Sequence, residues 1–125
     1  MKTQTLKRED GTVVCDRCTI ADNPLRRMRG LLGRDGLESG EGLLLRPASA
    51  VHTYFMRFPI DVVFLDRSLV VVGISDSVDP WQARSRKGAK AVLELPAGEC
   101  ARPRLEADRH LRRRADREPR LEDRR

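Results

Sequence analysis

The hydrophobic pattern of the chain is mostly that of β-strands. Between residues 50 and 58, apolar and polar side chains alternate with a period of two, as in a half-buried strand. Shorter apolar runs predict further strands over residues 12–18, 42–46, 60–65, 69–75 and 90–95. A tight polar break, Asp66 to Ser68, joins two of these runs, which predicts a β-hairpin that we expect at the centre of the sheet.

One segment has a helical pattern instead. Asp22, Asn23 and Pro24 are typical of a helix start, and the apolar stripe that follows consists of Leu25, Met28, Leu31 and Leu32. A helix is therefore predicted from Pro24 to about Leu32, closed by Gly33. The predicted fold class is α+β and mainly β: a compact sheet or small barrel-like fold with one short N-terminal helix.

The alternating stretch holds several chemically distinctive side chains. His52, Tyr54 and Met56 share one face of the predicted strand, and Pro59 ends that strand because it cannot donate a ladder hydrogen bond. In the next run, Asp61 is the one charged residue and shares a face with Val63 and Leu65. A carboxylate in such surroundings needs hydrogen-bond donors or a raised pKa.

An ordered set of short motifs resembles a known protein family. The motifs are Arg27 with residues 30–32, then 42–43, 52–53, 55–56, 59–61, 64–66 and 92–98. Together they resemble the uncharacterised family called domain of unknown function 192, over roughly residues 12 to 98. The resemblance implies a compact, mainly β fold with a short helix near the start, and no established activity.

Length and charge predict one domain with a separate tail. With 125 residues, the chain fits one modest core, which we place at residues 12–102 after an N-terminal segment, 1–11. Residues 103–125 contain nine arginines and six acids, and their three leucines cannot form a stripe. We therefore expect a partly disordered arginine-rich tail, frayed from about Arg112. Its interleaved acids and its lack of aromatic residues argue against a nucleic-acid partner.

The polar start of the chain and its odd number of cysteines, three, both fit a reducing compartment. No apolar run approaches the roughly 20 residues of a membrane span, and residues 1–11 are polar, so we expect a cytoplasmic protein without a membrane partner. Cys15 and Cys18 form a CxxC motif that could bind metal, undergo redox chemistry or simply be structural. A second ligand pair is missing, and residues three apart in a regular strand point to opposite faces. We therefore predict structural cysteines, no metal and no cofactor.

Three classes of function remain open, and the weakest is a nucleic-acid accessory protein that acts through the arginine-rich tail. Asp61 and Glu94, assisted by His52, could serve as the paired carboxylates of a hydrolase-like enzyme. The structural interpretation is that each acid caps backbone N–H groups or pairs with Arg27 or Arg57, and that a backbone carbonyl satisfies His52 at the start of a strand.

We favour a second class, a non-enzymatic binding or accessory module. In it, His52, Tyr54 and Met56 form a shallow groove with Trp81, which lies in a polar loop, and the buried acids Asp61 and Glu94 contribute to the same site. The expected ligand is a small molecule or a peptide.

Overall fold

The strands form one open seven-stranded sheet and a separate two-stranded ribbon. The computed structural model describes residues 3–8, 10–21, 31, 33–101 and 111–114. In chain order the strands are β1 (Thr3–Arg8), β2 (Val13–Ala21), β3 (Glu41–Leu45), β4 (Ala50–His52), β5 (Ile60–Leu65), β6 (Val71–Val78), β7 (Ala83–Ser85), β8 (Ala91–Pro96) and β9 (Leu111–Arg114). A short 3-10 turn at Glu99–Ala101 lies between β8 and β9.

The large sheet has the order β6-β5-β8-β3-β2-β1-β9, and β4 pairs with β7 in the ribbon. Strands β2 and β3 run parallel, and the other neighbours in the large sheet are antiparallel. The mainly β prediction is therefore confirmed. Of the two forms predicted, the described strands make an open sheet and do not close into a barrel. The helix predicted over Pro24–Leu32 falls almost entirely on residues 22–30 and 32, outside the described residues.

The predicted hairpin is present, but its predicted central position was wrong. Strands β5 and β6 pair across the turn after Asp66, whose Oδ1 accepts the N–H groups of Ser68 (2.8 Å) and Val70 (2.9 Å). Strand β6 nevertheless lies at the end of the strand order, beside β5 alone. Its polar second half suits an edge, where side chains meet water. At Gly73 the missing side chain leaves room for the guanidinium of Arg86.

Both faces of the sheet are covered, which explains why all six residues of β5 are buried. Val63 and Leu65 pack with Leu93 and Leu95 in one cluster, which also contains all three cysteines. Ile60, Val62 and Phe64 pack with Val92 in the second cluster, on the opposite face. The sheet is thus a layer between two apolar clusters, and a polar side chain on either face of β5 or β8 is buried.

Parts of both predicted end segments belong to the sheet. Strand β1 precedes the domain start predicted at residue 12, and β9 pairs with β1 inside the predicted tail, with Arg112 opposite Lys7 and Arg114 opposite Thr5. Fraying from Arg112 was predicted because the tail has few apolar side chains. Strand pairing depends on backbone hydrogen bonds at a free edge, however, and needs no apolar stripe.

Candidate functional site

The alternating strand predicted through residue 58 ends at His52. The backbone turns immediately afterwards, with the N–H of Met56 donating to the carbonyl of Thr53 (3.1 Å) and Phe55 at a φ of 66°. This turn sends Met56 into the core, where it is 7% exposed, while Tyr54 is 40% exposed. The prediction that Met56 shares a face with His52 and Tyr54 was therefore wrong, because the period of two requires extended backbone throughout.

Four aromatic rings meet at the surface beyond this turn. His52 stacks on Tyr54 with ring centroids 4.7 Å apart, Tyr54 stacks on Trp81 at 6.0 Å, and Phe55 lies tilted against Trp81 at 4.6 Å. Phe55 and Trp81 are 69% and 59% exposed. We call His52, Tyr54, Phe55 and Trp81 the aromatic surface. Phe55 was not among the residues predicted to form the groove.

Thr53, which sequence reasoning missed, connects the two loops that carry these rings. Its side chain is buried, and its hydroxyl donates to the carbonyl of Asp79 (2.7 Å) while accepting the N–H of Gln82 (2.9 Å). Its backbone N–H donates to the carbonyl of Gln82 (2.8 Å), and its carbonyl accepts the N–H of Trp81 (3.0 Å). The hydrogen bonds of Thr53 therefore join the loop after β4 to the loop after β6.

Two rings of the aromatic surface sit on unfavourable backbone. Phe55 and Trp81 have φ values of 66° and 69°, in the left-handed region that bulky residues rarely adopt. Such a conformation costs on the order of 1–3 kcal/mol and persists when surrounding contacts impose it. Here the hydrogen bonds of Thr53 are the contacts that hold both turns.

His52 is partly satisfied by the main chain. Its Nδ1 lies 3.3 Å from the backbone N–H of Tyr54, in position to accept a hydrogen bond, so a neutral ring would carry its proton on Nε2. The structural interpretation predicted a backbone carbonyl as the partner of His52, whereas the observed partner is a backbone N–H group. Beside the ring, a hollow of about 460 Å³ runs over the ribbon and is lined by residues 50–52, 54 and 83–85.

Asp61 does not reach the aromatic surface, because it is fully buried within β5. Its Oδ1 accepts the N–H of Ser77 (2.7 Å), and its Oδ2 accepts the N–H of Cys100 (3.0 Å). Burial acts to raise the pKa of this carboxyl, but the hydrogen bonds from Cys100 and Ser77 outweigh it and hold the pKa below its ordinary value. Asp61 thus joins β5 to the end of β6 and to the 3-10 turn.

Arg57, one predicted partner of a buried acid, forms its ion pair elsewhere. Its Nη1 lies 2.7 Å from Oδ1 of Asp35, and both side chains are exposed. Arg27, the other predicted partner, lies outside the described residues. Within the described ranges, backbone N–H groups and not a guanidinium satisfy Asp61.

Glu94 is buried on the other face of the sheet. It stands directly between Leu43 on β3 and Val62 on β5, and it is 3% exposed. Its Oε1 has no hydrogen-bond partner in the described part of the chain. Burial raises the pKa of Glu94 to about 8, so the side chain is mostly a neutral carboxylic acid at pH 7.

The register of β5 and β8 separates the two acids. Asp61 is opposite Leu95, and Val62 is opposite Glu94. Residues directly opposite share a face and successive residues alternate, so Asp61 and Glu94 project from opposite faces. The structure does not bring Asp61, Glu94 and His52 together, and the predicted paired-carboxylate mechanism has no common site. Of the predicted site residues, His52, Tyr54 and Trp81 converge at the aromatic surface. Neither acid lies with them.

The CxxC motif lies on a β-bulge, which changes the predicted geometry. Cys15 is opposite Leu6 and Cys18 is opposite Gln4, so β2 holds one residue more than β1 between these pairs. The N–H groups of Asp16 and Arg17 both donate to the carbonyl of Gly40, at 3.0 and 2.9 Å. The two cysteines consequently share one face, and the argument that residues three apart must diverge was wrong here.

The bulge brings the two thiols into contact within the core. A hydrogen bond with Cys18 and burial both raise the pKa of the Cys15 thiol. Low thiolate content opposes both metal binding and nucleophilic chemistry. No group of three or more His, Cys, Asp or Glu residues within the described ranges is placed to hold a metal ion. No helix in those ranges is long and apolar enough to cross a membrane.

Comparison with known proteins gives relatives without assigned activities. A UPF0127 protein of Thermococcus sibiricus is 34% identical over 98 residues, which are 74% of this chain and 63% of the relative. A UPF0127 protein of Pyrococcus abyssi is 35% identical over 86 residues, 63% of this chain and 70% of the relative. The chain thus spans less than two thirds of the Thermococcus relative.

Two solved structures share the fold. A protein of unknown function from Novosphingobium aromaticivorans has a TM-score of 0.75 at 22% identity, covering 88% of this chain and 83% of that one. A Sinorhizobium meliloti protein, provisionally described as a transcription regulator, has a TM-score of 0.79 at 19% identity, covering 90% and 94%. At these identities the likeness concerns the fold alone.

The sequence profile of one family matches residues 5–113, most of the chain. That family is domain of unknown function 192, described as "Uncharacterized ACR". The family resemblance seen in the sequence motifs is therefore confirmed, and the profile match extends it to most of β1 and most of β9. The chain belongs to the domain of unknown function 192 family.

Proposed function

We propose that the protein is a small binding or accessory module that takes up a small molecule or a peptide on its aromatic surface. The observation that carries this proposal is the contact among four rings at the surface, three of which belong to large apolar side chains left exposed. Among the described residues, the other exposed large hydrophobic is Val13, on β2. Apolar exposure is thus concentrated at the aromatic surface.

The rings are held in place before any ligand arrives. Thr53 fixes both loops through hydrogen bonds of 2.7–3.0 Å to Asp79, Trp81 and Gln82. A prepared surface loses less conformational entropy on binding than a mobile one, which favours affinity. The strained φ values at Phe55 and Trp81 support the same view, since strain retained in a fold is often found at binding sites.

The hollow over the ribbon gives a ligand a place beside the rings. Its volume of about 460 Å³ falls within the range of small-molecule sites. Ala50, Ala83 and Ser85 contribute small side chains to its lining, and His52 and Tyr54 border it. Stacking against the rings and contact with this lining would together hold a planar group or an extended peptide.

Ligand screening followed by site variants tests this proposal. Trp81 is the only tryptophan in the chain, so its fluorescence reports directly on the aromatic surface. A fragment or peptide that shifts this fluorescence and raises the melting temperature should bind at least about tenfold more weakly to Trp81→Ala and Phe55→Ala. Val13→Ala removes an exposed apolar side chain from β2 and should leave affinity unchanged. Equal affinity for wild type and both ring variants would refute the proposal.

A further inference from the structure

A second concave site lies at one end of the large sheet. It is a cleft of about 370 Å³ between the residues after β3, the turn that joins β5 to β6, and the start of β8. Lys90 ties these segments together, because its N–H donates to the carbonyl of Leu65 (2.7 Å) and its carbonyl accepts the N–H of Ala48 (3.0 Å). The cleft is therefore part of the packed fold, and it shares no lining residue with the hollow beside the aromatic surface.

The lining of this cleft is strongly basic. Arg46, Arg67 and Lys90 contribute three positive charges, against one negative charge from Asp66. Asp66 is engaged in the turn, where its Oδ1 accepts two backbone N–H groups. One carboxylate cannot neutralise both Arg67 and Lys90.

Two of these cations also lack an acidic partner. Elsewhere on the molecule, Arg34 pairs with Glu41 at 2.9 Å, and Arg57 pairs with Asp35 at 2.7 Å. By contrast, Arg67 and Lys90 have no ion-pair partner in the described part of the chain. Unpaired like charges around one concave surface repel each other, and an anion bound between them would relieve that repulsion.

The remainder of the cleft is apolar. Leu69 and Ala91 line it and belong to the first core cluster, with exposures of 9% and 1%. Leu69 is held there by a turn in which it adopts a φ of 68° and donates its N–H to the carbonyl of Asp66 (3.0 Å). A ligand suited to this lining would need an anionic group for the cations and a short apolar part for Leu69 and Ala91.

From this combination we infer that the cleft binds a small amphiphilic organic anion, with a carboxylate or phosphate head beside Arg67 and Lys90 and an aliphatic body against Leu69. This site is independent of the aromatic surface and of the function proposed for it. A carboxylate and a phosphate monoester offer the same charge-assisted hydrogen bonds, so the probes must distinguish them.

To test this, each probe is titrated into the full chain at low salt, and binding is measured from the NMR shifts of the backbone amides. The probes are hexanoate, hexyl phosphate, hexanol and inorganic phosphate. Hexanoate or hexyl phosphate should shift amides around residues 46, 67 and 90, and hexanol and inorganic phosphate should bind more weakly than either. Lys90→Gln should raise the dissociation constant about threefold, and Arg67→Gln with Lys90→Gln about tenfold. The matched control Lys87→Gln removes the same charge three residues away and should change little.

Three results would overturn this inference. Hexanol binding as tightly as hexanoate would show that the cations play no part, and inorganic phosphate binding as tightly as hexyl phosphate would remove the role of the apolar lining. Equal weakening of binding by Lys87→Gln and Lys90→Gln would show that affinity depends only on the net charge of the protein and not on the position of Lys90. Unchanged melting temperatures would establish that the variants fold.

Discussion

Asp61 and Glu94 lie one step apart in the register of neighbouring strands, yet they project from opposite faces of the sheet and carry opposite pKa shifts. Asp61 accepts backbone N–H groups that stabilise its charge, whereas Oε1 of Glu94 finds no donor among the described residues. The two carboxyls therefore contribute to stability in opposite ways. Their pH dependence can be measured separately.

Glu94 should make the fold less stable as the pH rises. Its pKa is about 8 in the folded chain against an ordinary value of 4.5, so between these values the folded chain holds a proton that the unfolded chain has lost. The stabilisation is complete below pH 4.5 and is lost as the pH rises toward 8, by up to about 1.4 kcal/mol per pH unit. Glu94→Gln should flatten this decline in urea unfolding from pH 5 to 9. Glu38→Gln, at an exposed carboxyl, should leave it in place, and a parallel decline in Glu94→Gln would contradict the assignment.

Asp61→Asn should destabilise the chain at neutral pH. The carboxylate of Asp61 accepts hydrogen bonds from two backbone N–H groups, and the amide of Asn would place its NH₂ group against one of these donors. Loss of that bond and of the charge should lower the free energy of unfolding by about 2 kcal/mol. The pKa of Asp61 is lowered, so its contribution is present above 3.8 and is lost as the pH falls through the folded value. The difference between variant and wild type should accordingly shrink in acid. A loss below about 0.5 kcal/mol at pH 7 would show that these hydrogen bonds contribute little.

Thr53 should be required for the order of the aromatic surface. Thr53→Val keeps the shape of the side chain but leaves the carbonyl of Asp79 without its hydroxyl donor and the N–H of Gln82 without its acceptor, which should cost about 1–3 kcal/mol. Trp81 fluorescence should shift toward that of a solvated indole, while Thr53→Ser, which retains the hydroxyl, should stay close to wild type. If both variants behave alike, the hydroxyl does not hold the loops.

The three cysteines should be unreactive in the folded chain. All three are buried, the pKa of Cys15 is raised by its hydrogen bond with Cys18 and by burial, and burial together with a hydrogen bond to Asp61 raises the pKa of Cys100 to about 12. A thiol reagent at pH 8 should modify them slowly in native protein and reach three per chain after unfolding in denaturant. Rapid native modification of Cys15 or Cys18 would reopen the redox interpretation of the motif.

Much of the strand pattern was predictable because it is local. The runs at residues 42–46, 60–65 and 90–95 appear as β3, β5 and β8 within one residue at either end, and Asp66 forms the predicted turn. The placement of Asp61 with Val63 and Leu65 also followed from the period of two. Prediction failed after His52, where hydrogen bonds to Thr53 from residues 26 or more positions away impose turns that local sequence does not reveal.

The sequence alone determined the family, the mainly β class and the identity of the buried strands, since apolar run length, turn residues and motif order are properties of neighbouring positions. Only the tertiary structure decided which strand lies at the edge, which face each carboxyl occupies and which rings meet. These depend on the register between strands distant in sequence, and one bulge in β2 was enough to place Cys15 and Cys18 on the same face. Register is fixed by packing of the whole sheet, so no local pattern could have supplied it.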